Sequence, residues 1–106
     1  MDQPEIDVDE LERLLADGAA LFDVRETDEW DAAHIDGATL IPLGTVPDEV
    51  EQFPTDQPAY VICAKGGRSA RAAEFLRSRG IDAVNVAGGM GDWIDSGKAR
   101  VSGSDG

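Results

Sequence analysis

At 106 residues and a formal net charge of −13, the chain has room for one domain with a modest core. No basic stripe offsets that charge, which disfavours nucleic acid and anionic membranes as partners. No stretch reaches the length of a membrane span, and the acidic N-terminus lacks the basic-then-apolar pattern of a signal peptide.

In chain order, Asp7 or Asp9 is positioned to cap a first helix, with Val8, Leu11, Leu14 and Leu15 on one face and Gly18 at its end. Ala19 to Phe22 reads as a buried strand ending at Asp23. Thr27 or Asp28 starts a short helix through Ala33 that turns Trp30 inward and leaves Glu29 and Asp31 exposed. Ala38 to Ile41 is the next strand, stopped by Pro42. A polar helix or turn over Val46 to Gln52 leads to the Pro54-Thr55-Asp56 turn. The apolar run Ala59 to Ile62 is a buried strand, followed by a loop and a helix over Ser69 to Arg77, with Gly80 as its C-cap. Ala83 to Val86 is the last strand, before a short helix from Met90 to Asp95. Strands alternating with helices predict a small parallel-sheet α/β domain with helices on both faces, spanning residues 5–97. Residues 98–106 are expected to form a flexible acidic tail.

Cys63 is the only cysteine. It sits at the carboxyl end of the buried strand, in Cys63-Ala64-Lys65-Gly66-Gly67-Arg68-Ser69, just before a helix N-terminus. Two glycines permit a tight loop whose N–H groups converge, and with Lys65 and Arg68 they favour thiolate over thiol. A buried structural cysteine has no use for two glycines and two cations so close by. The pattern reads as a nucleophile in an anion cradle. Only four residues separate Cys63 from Arg68, a ring that suits a sulfur carried on cysteine better than the wider loop of a cysteine phosphatase or an arsenate reductase.

On these residues the chain resembles the rhodanese-like family in its single-domain form. The matching segments are Asp23-Val24-Arg25-Glu26, His34-Ile35-Asp36-Gly37-Ala38 leading into Ile41-Pro42, the Cys63–Ser69 loop, and Gly88-Gly89-Met90 with Trp93. The resemblance implies a sulfurtransferase: the Cys63 thiolate takes the outer sulfur of a donor such as thiosulfate, and the persulfide passes it to cyanide, a thiol or a protein. A persulfide carrier serving a protein partner is the alternative. Cys63 would be the nucleophile, with Ala64, Lys65, Gly66, Gly67, Arg68 and Ser69 forming the substrate-binding loop.

Among supporting residues, the resemblance puts Asp23 beneath the loop, accepting backbone or Ser69 hydrogen bonds. Arg25 is expected to pair with Glu26 or Glu29, and Arg71 stands at the spacing that pairs it with Glu74. Arg68 turns either inward to an anion or outward to an acidic neighbour, and the sequence leaves both open. The sole histidine, His34, is not assigned as a base, because a thiolate in an amide cradle needs none, and the resemblance implies that it anchors its own loop. Gly88 and Gly89 are read as the turn before the last helix. No metal site and no cofactor are expected. A lone cysteine fits a reducing cytoplasm, with an external acceptor to discharge the persulfide, and a monomer is expected. The aspartate bias, with Lys65 and Lys98 the only lysines, suits a high-salt cytoplasm or an ordinary acidic protein equally.

Overall fold

A computed structural model describes residues 3–103. The chain runs through β1 (Glu5–Ile6), α1 (Val8–Ala16), β2 (Ala20–Asp23), α2 (Thr27–Ala32), β3 (Thr39–Leu40) and a 3-10 segment, Leu43–Gln52, kinked at Glu49. It continues through β4 (Ala59–Ile62), α3 (Gly67–Ser78), β5 (Ala83–Val86) and α4 (Gly89–Asp95). The five strands form one sheet in the order β1-β5-β4-β2-β3, and every pair is parallel.

Alternation along the central strands builds two cores. Ala59 and Val61 of β4 join Phe22, Val46, Phe53, Ala72 and Leu76 on the face covered by α3 and the 3-10 segment. Tyr60 and Ile62 join Leu21, Val8, Leu11, Met90 and Trp93 on the face covered by α1 and α4. Covering both faces of a parallel sheet explains why all four residues of β4 are buried. The α/β architecture with helices on both faces is the one expected.

The topology also makes a crevice. From β2 the chain moves outward to edge strand β3, whereas from β4 it moves the other way, to β5. Connections leaving two neighbouring strands in opposite directions open the sheet at their carboxyl ends. Those ends are Asp23 and Ile62, which are direct partners in the β2–β4 ladder, and Cys63 follows Ile62.

Three features differ from the sequence reading. Strand β1 is not among the expected elements, because two residues carry no periodicity; only its pairing with β5 reveals it. Helix α3 begins two residues earlier than Ser69, because Gly66 takes a left-handed conformation and acts as the cap. The described part of the expected tail is attached: Lys98 reaches Asp9 and Glu12, both at 2.9 Å, and Val101 exchanges backbone bonds with His34 at 2.8 Å. Residues 104–106 of that expected tail lie outside the described residues.

Candidate functional site

Cys63 lies at the bottom of the crevice with 1% of its surface exposed. The Gly66 N–H donates to Sγ at 3.1 Å, and Ser69 Oγ stands 3.2 Å from the same sulfur. Gly66 has φ +106°, and a Cβ there would meet the Gly88 nitrogen at 3.3 Å. Gly66 is therefore needed for the turn. Gly67, by contrast, sits in the first turn of α3, where a Cβ would meet no atom within 4 Å, so nothing steric demands glycine there. Burial pushes the Cys63 thiol up, but the Ser69 hydroxyl, when its proton is turned to the sulfur, and the N–H groups of Ser69, Gly66 and Lys65 outweigh it. The net shift is downward, toward thiolate.

The second wall of the loop is the start of α4. Met90 N–H donates to Cys63 O at 2.8 Å, and Gly91 N–H donates to Ala64 O at 2.9 Å. In a trans peptide the C=O and N–H point in opposite directions. Tying the Ala64 carbonyl to α4 therefore turns the Lys65 N–H away from α4, toward the sulfur that it stabilises. Gly89 is the close approach: a Cβ there would lie 2.3 Å from Cys63 O. Gly89 thus does more than make the expected turn, since it lets α4 dock on the loop, while Gly88 caps α4 in a left-handed conformation.

Around this cradle the polar side chains pair differently from expectation. Asp23 accepts from the Arg25 backbone N–H at 3.1 Å and from its guanidinium at 2.7 to 3.0 Å, and all of these groups are buried. Arg25 therefore pairs with Asp23 rather than with the carboxylates of Glu26 or Glu29. Its remaining N–H groups reach the carbonyls of Glu29 and Ala33. Asp23 is filled by this neighbour two residues on and takes nothing from Ser69. Ser69 Oγ bonds instead to Asn85 Oδ1 at 2.6 Å, across the sheet on β5. Asn85 is absent from the residues that sequence reasoning singles out; its one signal is a polar residue inside Val84-Asn85-Val86.

Arg68 turns outward. Its Nη1 and Nη2 meet Glu29 Oε1 and Oε2, both at 2.8 Å, in a two-pronged pair that links α3 to α2. Lys65 and Arg71 are exposed and make no ion pair among the described residues, so the expected pairing of Arg71 with Glu74 does not form. His34 is buried, stacks on Trp30 at 3.7 Å between ring centres and bonds through Nδ1 to Trp30 O at 2.8 Å. Chemically, the site offers a recessed sulfur with converging donors, which can stabilise negative charge on it and on an atom just beyond it.

The description of the rhodanese-like domain family matches residues 7–96. This chain belongs to the rhodanese-like family. It is 40% identical over 83 residues to the uncharacterized protein YqhL of Bacillus subtilis (strain 168), covering 77% of this chain and 66% of YqhL. It is 35% identical over 81 residues to the thiosulfate sulfurtransferase GlpE of Pseudomonas entomophila (strain L48), covering 76% of this chain and 74% of GlpE. The structure of the human single-domain sulfurtransferase TSTD1 superposes with a TM-score of 0.78 at 31% identity, covering 89% of this chain and 97% of that one. The chain spans 66% of the length of YqhL and 50% of the putative sulfur carrier YrkF of Bacillus subtilis (strain 168), with which it shares 37% identity over 85% of its own length. Proteins similar to this chain thus include a thiosulfate sulfurtransferase, a human single-domain sulfurtransferase and a putative sulfur carrier.

Proposed function

We propose that this rhodanese-like domain is a sulfurtransferase that moves a sulfane sulfur from thiosulfate, or a similar anionic donor, to a thiophilic acceptor through a persulfide on Cys63. The observation that carries the reading is the recessed Sγ with an N–H donor at 3.1 Å and a hydroxyl at 3.2 Å, in a family that includes sulfurtransferases. In the first step the Cys63 thiolate attacks the outer sulfur of thiosulfate. A Cys63 S–S bond forms, the donor S–S bond breaks, and its electron pair leaves on sulfite. In the second step cyanide, a thiolate or a protein thiolate attacks that outer sulfur, and Cys63 recovers the electron pair as thiolate.

The loop residues divide the work. The N–H groups of Lys65, Gly66 and Ser69 hold the charge on sulfur, and Gly66 makes the turn that aims them. Arg68, engaged by Glu29, braces the loop, which leaves exposed Lys65 as the cation that meets the incoming anion. The Asp23–Arg25 pair anchors the β2 end beneath. The lone cysteine supports a reducing, cytoplasmic setting, where an external thiol or protein acceptor discharges the persulfide.

Steady-state rates with thiosulfate and cyanide varied together test the reading. A double-displacement pattern of parallel reciprocal plots, lost in Cys63→Ser, is the expected result. The similarity to the putative sulfur carrier YrkF favours a second reading, a persulfide carrier that takes sulfur from a protein. Slow thiosulfate turnover together with fast loading from a cysteine desulfurase would select it.

A further inference from the structure

Beside Cys63 one proton faces two acceptors. Ser69 Oγ lies 2.6 Å from Asn85 Oδ1 and 3.2 Å from Cys63 Sγ. A hydroxyl carries a single hydrogen, so it donates to one of them at a time. All three residues are buried, with Asn85 4% and Ser69 0% exposed, so bulk water does not stand in for a missing partner. With the amide oxygen toward Ser69, the proton belongs to the 2.6 Å contact. Oγ then offers the sulfur only a lone pair, which suits a protonated thiol, whose S–H donates to Oγ.

A thiolate needs the reverse. The two ends of an asparagine amide are almost the same size, and a half-turn of the side chain exchanges acceptor for donor at one place. With Nδ2 toward Ser69, the amide donates to Oγ, and the hydroxyl proton has the sulfur as its remaining acceptor. A run of aligned donors, Asn85 to Ser69 to Cys63, then ends on the negative charge.

We infer that Asn85 is a positioning residue that sets the direction of the Ser69 hydroxyl, its carbonyl end facing Ser69 when Cys63 is a thiol and its amide end when Cys63 is a thiolate. The strand holds it in place. Asn85 is paired with Val61 on β4 and with Glu5 on β1, and its own N–H donates to Pro4 O at 3.0 Å. A buried amide in a parallel sheet costs stability unless it is bonded, and here its partner is Ser69. The inference rests on the proposed function only in taking the thiolate as the reacting form; the hydrogen-bond relay itself requires no sulfur transfer. The charged groups on the Cys63 side are Lys65 in the loop, Arg68 on α3, held by Glu29, and the buried Asp23–Arg25 pair at the end of β2, while α4 contributes only backbone N–H groups to the loop carbonyls. None of these changes in the variants below.

The test is an ultraviolet titration of the Cys63 thiolate in the reduced full chain, with iodoacetamide alkylation rates against pH as a second readout. Asn85→Asp has the same size but only accepts, so it keeps the Ser69 proton from the sulfur and adds a charge. The expected result is an upward shift of about one pH unit or more, roughly tenfold in the thiolate equilibrium. In a Ser69→Ala background the same substitution acts through its charge alone, and the shift shrinks. Asn85→Leu neither accepts nor donates, which leaves the hydroxyl to the sulfur without support, so its titration falls between wild type and Asn85→Asp. Equal shifts in the Ser69 and Ser69→Ala backgrounds, or Asn85→Leu as impaired as Asn85→Asp, would overturn the inference. Failure to form a persulfide would contradict the proposed function and leave these titrations standing.

Discussion

The Glu29 carboxylate serves two neighbours at once. Oε1 accepts the Glu26 N–H at 3.0 Å, completing a capping box at the start of α2, and both oxygens hold Arg68. The Arg68 guanidinium is the main reason the Glu29 carboxyl is lowered to about 2; burial opposes it, and the Glu26 N–H assists. Arg68 is raised in turn by the same bond. Each side chain is about a third exposed, so screening by solvent holds the pair to roughly 1 kcal/mol or less. A depressed folded-state pKa stabilises above the unfolded value and is lost as pH falls through the folded one. Glu29→Gln is therefore expected to melt a few degrees below wild type at neutral pH, with the gap closing between about pH 4.5 and 2. A gap that stays constant down to pH 2 would show that the ion pair is not its source. The sequence excludes neither orientation of Arg68, because its partner stands 39 positions away on another helix. Asn85 is illegible in the sequence for the same reason: its role depends on Ser69 across the sheet, not on its neighbours in the chain.

At the scale of elements, the docking of α4 on the Cys63 loop is the contact most sensitive to a single atom. Gly89 has φ +56°, and a methyl group there would collide with Cys63 O at 2.3 Å and Ala64 O at 2.8 Å. These are backbone atoms that cannot swing aside as a side-chain tip does. Gly89→Ala should cost about 2 kcal/mol, roughly 10 °C in melting temperature, and lower sulfur transfer as the loop carbonyls lose Met90 and Gly91. A wild-type melting curve with full activity would contradict that assignment. Gly67→Ala is the matched control, since its Cβ meets nothing within 4 Å. Long or strongly patterned elements are readable from sequence: α1 is capped by Asp7, whose carboxylate accepts the Glu10 N–H at 2.9 Å, and β2, β4 and β5 fall within a residue of expectation. The two-residue β1 is not, because a strand that short is defined by its partner.

For the molecule as a whole, topology and charge act together on the site. The parallel sheet opens between β2 and β4, so Cys63 and the Asp23–Arg25 pair meet although they lie 38 to 40 positions apart in the numbering. The motif order and the strand–helix alternation make this architecture legible in advance. The electrostatics need the structure: Arg68 is engaged by Glu29, so Lys65 is the loop cation without an ion pair among the described residues. A body of charge −13 repels the thiosulfate dianion at long range, whereas attraction to Lys65 acts at contact. Moderate salt screens the first more than the second, so kcat/KM for thiosulfate should rise on going from about 0.01 to 0.15 M, as the Debye length shrinks from about 30 to 8 Å. A flat or steadily falling profile would contradict this.

Whether Cys63 carries the sulfur is read from the intact mass of the reduced protein after incubation with thiosulfate, beside that of Cys63→Ser. A gain of one sulfur, about 32 Da, is expected in wild type alone, removed by cyanide or thiol. An accessible, reduced thiol that gains nothing, or a gain that persists in Cys63→Ser, would contradict it.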